Sequence, residues 1–182
     1  MNNTPKFLLA SLFTLALTPS VSVSASIFEA NEFSGHRVGG GYSNTDLILD
    51  NRALDWGDGI KLEYGYDINQ IVGINASYQN NNGSKHGIDL DGSTLKVDSD
   101  IGYTFQFEEW SVKPYGAVGL ARVNEKASYD GYSDSFKEIS LMGGMGVRAN
   151  LDMGLYTDLR YDFFNVDHQD QDQLSLTVGY RF

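Results

Sequence analysis

The three histidines are the first residues to examine for covalent chemistry, because an imidazole can act as a general acid or base near pH 7. Ser84, His86 and Asp89 share one segment, but three neighbours on a loop seldom hold the geometry of a nucleophile, base and orienting acid. His36 begins a predicted strand, and His168 lies among acidic residues with no serine nearby. We therefore expect no catalytic residue and no cofactor.

Carboxylates are the next candidates, because they are the oxygen ligands that Ca²⁺ and Mg²⁺ prefer. They are concentrated in polar segments, at Asp46, Asp50, Asp55, Asp58, Asp89, Asp91, Asp130, Asp134, Asp167, Asp170 and Asp172. The stretch from Asp89 to Ser93 resembles part of a calcium loop but lacks the remaining ligands of such a loop. We interpret these segments as solvated loops and expect no metal site.

A second group of charges alternates with apolar residues. Its cations are Arg37, Lys61, Lys96, Lys113, Arg148, Arg160 and Arg181, and its anions are Glu63, Asp67, Asp98, Asp100, Glu138, Asp158 and Asp162. There are seven of each sign, so the group is neutral in a chain whose net charge is −11. Charges that share a face of buried strands are stable only when they are paired.

The segments that carry these charges have the two-residue period of β-strands. In the last one, Leu174, Leu176, Val178, Tyr180 and Phe182 alternate with Ser175, Thr177, Gly179 and Arg181. Similar alternation recurs eight times, and each segment is close to the roughly 9–11 residues that a tilted strand needs to cross a bilayer. In a membrane barrel the apolar set faces lipid and the polar set fills the lumen.

The connections alternate between short and long. Short ones are expected near 67–70, 108–109 and 150–152, and longer polar ones at 43–56, 80–91, 124–135 and 165–171. Short periplasmic turns and longer extracellular loops are typical of outer-membrane barrels. The sequence therefore predicts an all-β fold, an eight-stranded antiparallel transmembrane β-barrel with up-and-down meander topology.

Aromatic residues are predicted at both membrane interfaces. The periplasmic set is Tyr66, Phe105, Phe107, Trp110 and Phe182, and the extracellular set is Tyr42, Trp56, Tyr78, Phe136, Phe163 and Phe164. Two such belts are expected of a membrane barrel and have no purpose in a soluble one.

The N-terminus predicts export. Lys6 is followed by the apolar run 7–17, and small residues at Val23 to Ala25 suit a cleavage site. The run is too short to span a bilayer, which takes about 20 residues. We predict a signal peptide at 1–25 and a barrel domain at 26–182. Removal of Lys6 brings the net charge to −12, which argues against a nucleic-acid partner.

Two stretches and the C-terminus carry a family resemblance. The stretch 111–117 (SVKPYGA) and the stretch 133–136 (SDSF), with the glycine-rich strand that follows it, resemble opacity-like barrels. Tyr180 and Phe182 resemble the terminal signal that the barrel-assembly machinery reads. The chain as a whole is similar to small eight-stranded outer-membrane proteins of the OmpA, OmpX, opacity and surface-protein-A types. This resemblance implies an outer-membrane location, among lipid and lipopolysaccharide.

Three functions remain open on this fold. The leading hypothesis is a structural or adhesin-like monomer, with a lumen plugged by charge pairs and loops that contact a host or environmental ligand. Exposed apolar and aromatic loop residues are the recognition candidates: Leu47, Ile48, Trp56, Tyr129, Tyr132 and Phe136. The alternatives are a narrow porin-like channel and a lipid A-modifying enzyme, since deacylases and palmitoyltransferases share this fold.

Overall fold

The computed structural model describes residues 33–49, 52–85, 88–129, 132–166 and 169–182. Eight long strands make up this part of the chain: β1 (Gly35–Leu49), β2 (Arg52–Asp67), β3 (Val72–Lys85), β4 (Ile88–Gly102), β5 (Trp110–Tyr129), β6 (Tyr132–Leu151), β7 (Leu155–Val166) and β8 (Gln169–Arg181). The predicted signal peptide, residues 1–25, lies outside the described residues. No helix in the described ranges is long and apolar enough to cross a membrane.

Each strand pairs with its sequence neighbour in antiparallel fashion, and β1 pairs with β8. The sheet therefore closes on itself, and the predicted eight-stranded meander is confirmed. The fourth strand is interrupted at Tyr103 and Thr104 and resumes for two residues at Phe105–Gln106. The pairs Gly102 with Tyr115 and Phe105 with Val112 keep one register, so the short piece continues β4.

The two faces of the sheet have inverted polarity compared with a soluble protein. Leu141 and Leu62 are 76% and 60% exposed on the outside, whereas Arg37 and Lys61 are fully buried inside. Apolar side chains on the outside and charges on the inside are stable together only when the outside contacts lipid. The alternation is therefore that predicted for a membrane barrel, with apolar side chains facing lipid and charged side chains facing the lumen.

Aromatic side chains cluster at both ends of the lipid-facing surface. Tyr42, Tyr78 and Phe163 are exposed near one end, and the ring of Phe107 stacks on Trp110 at the other, with 4.3 Å between centroids. The side chains of Trp56 and Phe136 lie outside the described part. The placement of Phe164 in the extracellular belt was wrong. Phe164 has the inward parity of β7 and is buried with Ala121, Val123 and Met142.

The predicted long loops are mostly strand. β5 and β6 pair continuously from Trp110 opposite Leu151 to Tyr129 opposite Tyr132, through the segment predicted as a loop. β1 and β2 likewise pair as far as Leu49 opposite Arg52. Antiparallel hydrogen bonding needs no membrane, so hairpins continue into water once both faces carry polar residues.

Pairing between the hairpins ends at two places around the barrel. The β6–β7 ladder ends at Met142 opposite Phe164, and the β2–β3 ladder ends at Asp58 opposite Asn82. Among the described residues, the extracellular sheet thus divides into a first lobe, the upper parts of β3 to β6, and a second lobe, the upper parts of β7, β8, β1 and β2.

Candidate functional site

Arg37 is the centre of an ion-pair cluster in the periplasmic half of the lumen. Its Nε lies 3.1 Å from Asp67 Oδ2, and its Nη2 donates to Asn75 Oδ1 at 2.8 Å. Glu63 and Asp100 approach the same guanidinium at 3.6 Å and 3.7 Å. Arg37 comes from β1 and Asp100 from β4, so these contacts cross the lumen.

Arg148 contributes a second guanidinium to this level of the lumen. Its Nε donates to Asp158 Oδ2 at 2.8 Å, and its Nη atoms lie 3.5 Å from Asp67 and 3.4 Å from Asp100. The guanidinium carbon also lies over the Tyr115 ring, 4.9 Å from its centroid, and the Tyr115 hydroxyl donates to Asp158 at 2.6 Å. The ring packs on the guanidinium while the hydroxyl holds its carboxylate partner.

A second cluster lies nearer the extracellular side. Lys96 donates to Asp162 and to Gln173 Oε1, both at 2.6 Å. Arg160 pairs with Asp162 at 2.6 Å and with Asp98 at 2.9 Å. All four charged side chains are buried.

Asn75 joins the two clusters. Its Nδ2 donates to Asp98 Oδ1 at 2.9 Å and to Asp100 Oδ2 at 3.0 Å, while its Oδ1 accepts from Arg37. Lys61 joins the clusters through an ion pair with Glu63, with 2.7 Å between Nζ and Oε2. Lys113 joins them through an ion pair with Asp100, with 2.5 Å between Nζ and Oδ1. The charges therefore form one continuous network with the two clusters linked by a neutral amide.

Twelve of the fourteen inward charges are buried in this network. The two others are half-buried at opposite ends of the lumen. Arg181 lies at the periplasmic mouth, 3.5 Å from Asp67, and also donates to the backbone carbonyl of Phe33. Glu138 lies opposite Val123 in the upper barrel and has the inward parity of β6. Its place in the lumen charge network stays a prediction.

Three residues that contact the network were missed from the sequence: Asn75, Tyr115 and Tyr156, whose ring centroid lies 5.7 Å from the Arg37 guanidinium carbon. All three have inward parity, which could have identified them. Tyr115 lies opposite Gly146, and Tyr156 lies opposite Gly179. These glycines leave the space that the inward rings fill.

The polarity of the side chains that fill the lumen changes from the periplasmic to the extracellular end. A polar cavity of about 230 Å³ opens at the periplasmic end, where Lys113 and Arg148 line it. Above the charged clusters lies a layer of neutral side chains, in which Thr45 accepts hydrogen bonds from Asn81 and Gln173. The apolar cluster that contains Phe164 lies at a similar height along β7.

A closed sheet with lipid-facing leucines and a charged interior is the architecture of an outer-membrane barrel. The sequence model of the family described as "Outer membrane protein beta-barrel domain" matches residues 13–182. The chain belongs to this outer membrane barrel family. No curated protein matches it.

Solved structures of other outer membrane barrels have the same fold. The attachment invasion locus protein Ail of Yersinia pestis, solved in complex with the heparin analogue sucrose octasulfate, is 26% identical with a TM-score of 0.62, covering 82% of this chain and 99% of Ail. Neisserial surface protein A is 18% identical with a TM-score of 0.64, covering 81% and 97%. The N-terminal barrel of Pseudomonas aeruginosa OprF is 16% identical with a TM-score of 0.61, covering 84% and 100%.

Membership of this outer membrane barrel family places the protein in the outer membrane, in contact with its lipids.

The six recognition candidates all lie on extracellular hairpins. Leu47, Ile48 and Trp56 are in the second lobe, and Tyr129, Tyr132 and Phe136 are in the first. Their side chains lie outside the described part of the structure. The first three residues lie on the β1–β2 hairpin and the other three on the β5–β6 hairpin, so the two groups are on different hairpins.

The histidines and the C-terminus complete the predicted residues. His36 is hydrogen-bonded to the Tyr64 hydroxyl at 2.8 Å, and its ring contacts Tyr66 and Phe182 at the periplasmic rim. Its surroundings are therefore aromatic. His86 and His168 lie outside the described residues. Tyr180 in β8 and Phe182, which follows this strand, are both exposed.

Proposed function

We propose that the protein is a non-conducting outer-membrane barrel that acts through its two extracellular lobes, as a structural and surface-interaction protein. The continuous ion-pair network across the lumen carries this proposal. An ion that crossed the barrel would have to separate pairs such as Lys96 with Asp162, whose side chains are fully buried. Separating buried pairs costs about 3–5 kcal/mol for each uncompensated charge.

The periplasmic cavity supports the alternative function, a narrow channel. Its polar walls could admit water and ions as far as Lys113 and Arg148. Both residues are held by Asp100, and Arg148 is held by Asp158 as well. The cavity thus favours a lumen that is open only at its periplasmic end. Conduction would require the ion pairs above the cavity to separate.

The lobes favour an interaction with an extended or cationic partner. In the segments 43–56, 80–91, 124–135 and 165–171, ten acidic side chains stand against three basic ones, a difference of −7. This charge disfavours polyanions such as the heparin analogue in the Ail structure. β6 also runs beyond the end of β7, so its outer backbone can pair with an added strand.

Single-channel conductance separates the plug from the channel. The refolded barrel, residues 26–182, is expected to stay silent in a planar bilayer. The matched double variant Lys96→Ala with Asp162→Ala removes one ion pair without changing the net charge, and it is expected to show channel openings. Such openings would prove that the assay detects an inserted barrel. Reproducible openings of the unaltered barrel, shown folded by heat-dependent gel mobility, would replace this proposal with the channel.

Hairpin trimming tests the interaction. Residues 125–136 are replaced by a two-residue turn, which retains the pairing of Asn124 with Lys137. A second variant shortens 47–54 in the same way. Binding of bacteria to cultured cells and to matrix is expected to fall in at least one variant while the barrel remains folded. Equal binding by trimmed and intact proteins would contradict the surface-interaction function.

A further inference from the structure

On the outer face of the barrel, the positive and negative side chains that the structure describes lie on different strands. Most of the lysines and arginines with described side chains point into the lumen or its mouth. The two that face outward are Arg122 on β5 and Lys137 on β6, both exposed. Within the described part of the structure, neither side chain takes part in a hydrogen bond or an ion pair.

These two cations lie side by side. Arg122 is opposite Ile139, and Lys137 is opposite Asn124, so they are diagonal neighbours on one face of the β5–β6 pair. Diagonal neighbours of an antiparallel pair are separated by about 7–8 Å. Long arginine and lysine side chains at that separation can reach a common anion.

Their depth places them at the outer membrane interface. Twelve residues separate Arg122 from Trp110 in the periplasmic aromatic belt, a rise of about 30 Å for a strand tilted as in membrane barrels. The apolar band of such barrels is about 25 Å tall. Leu120 and Leu141 lie opposite each other below the two cations, Ile139 lies opposite Arg122, and all three are exposed to lipid. Arg122 and Lys137 are therefore just outside the hydrocarbon, at the level of the headgroups.

The outward-facing acidic residues of this rim whose side chains the structure describes lie on the other side of the barrel. They belong to β1, β2 and β8, and β1 is four strands away from β5. Neutral donors satisfy them: Tyr161 donates to Asp172 at 2.5 Å and Asn165 to Asp170 at 3.0 Å. Hydrogen bonds from Tyr42 and Asn44 lower the pKa of Asp58, which keeps this carboxyl ionised. The exposed positive charge on β5 and β6 is thus separated from these described carboxylates.

We propose that Arg122 and Lys137 form a binding site for the phosphorylated headgroup of an outer-leaflet lipid. The planar guanidinium donates two parallel hydrogen bonds to phosphate oxygens, and the ammonium supplies a compact second charge. Direct pairing of this kind needs no divalent cation as a bridge. The acidic face of a second copy is also oppositely charged, but the headgroup depth and the leucines below favour a lipid.

Retention of bisphosphorylated lipid A tests the site. The folded barrel in phosphatidylcholine nanodiscs is loaded with this lipid, washed with EDTA and analysed by mass spectrometry. The double variant Arg122→Gln with Lys137→Gln is expected to retain at least about tenfold less, as for the loss of one charge-assisted hydrogen bond. The matched variant Asp58→Asn with Asp172→Asn changes as many charges on the other face and is expected to retain the lipid normally.

Three outcomes would overturn the proposal. Equal retention by the unaltered barrel and the Arg122/Lys137 double variant would remove these residues from any lipid site. Equal retention of dephosphorylated lipid A would show that acyl chains alone are recognised. Dimers of the unaltered protein that dissociate in the double variant, with lipid retention unchanged, would assign the cations to a protein interface. Heat-dependent gel mobility verifies folding of every variant.

Discussion

Arg148 and Asp158 lie directly opposite each other on β6 and β7, and the Arg148 Nε donates to the Asp158 Oδ2 at 2.8 Å inside the lumen. Arg148→Met would leave the buried Asp158 carboxylate without its cation. It would also remove one of the cations shared by Asp67 and Asp100, which keep their pairs with Arg37 and Lys113. We expect a loss of about 3–5 kcal/mol in the free energy of unfolding. Urea titration in lipid vesicles, followed by tryptophan fluorescence, measures it. The double variant with Asp158→Asn should recover part of the loss, and a loss below about 1 kcal/mol would show that the pair is not coupled to the network.

Gly39 is required by the Tyr156 ring. A Cβ on Gly39 would lie 2.3 Å from the Tyr156 hydroxyl oxygen and 2.8 Å from the Thr177 methyl carbon. Gly39→Ala should therefore lower stability by about 1–3 kcal/mol, the range for an overpacked interior. Adding Tyr156→Phe removes the nearer atom and should restore part of the stability in the same titration. If the double variant were no more stable than Gly39→Ala alone, the Tyr156 contact would not be the cause.

Phe164 and Phe163 are adjacent in β7 but should respond differently to truncation. Phe164 is 5% exposed and packs inside the lumen, whereas Phe163 is 46% exposed toward lipid. Phe164→Ala leaves a cavity and should cost about 3–5 kcal/mol. Phe163→Ala is the matched control, and it should cost less because lipid fills the space. Equal costs in vesicle unfolding would contradict the inward assignment of Phe164.

Phe182 closes the seam between the first and last strands. Its backbone exchanges two hydrogen bonds with His36, at 2.7 Å and 2.9 Å, and its ring contacts the His36 imidazole. Deletion of Phe182 should slow barrel closure, and we also expect it to weaken recognition by the assembly machinery. Folding into vesicles, followed by gel mobility, measures the first effect, and the amount in outer-membrane fractions measures the second. His36→Ala should slow folding in vesicles with little effect on recognition. Loss from the membrane fraction in His36→Ala, with normal folding in vesicles, would contradict this division.

The predicted signal peptide gives an intact-mass test. We expect the protein from outer-membrane fractions to begin at Ser26, because Val23 and Ala25 supply small residues at the −3 and −1 positions of the cleavage site. Ala25→Leu should block cleavage and leave the precursor in the inner membrane. A mature protein that retained Lys6 would contradict the prediction.

Some features were misplaced because neighbouring residues of similar type have opposite parity. Phe163 and Phe164 look alike as aromatic residues near a strand end, but a period of two allows only one of them to face lipid. The long hairpins were predicted as loops because polar residues on both faces leave no alternation to detect.

The amino-acid sequence by itself determined the fold and the membrane environment. Residues such as Leu174, Leu176 and Val178 repeat every second position, and that period places them on one face before any partner strand is known. Only the tertiary structure decided which charges meet. Arg37 reaches Asp100 from three strands away, and Asn75 joins Asp98 to Asp100, because strand register and barrel closure bring them to one level. Such contacts depend on distances across the lumen, which local periodicity does not encode.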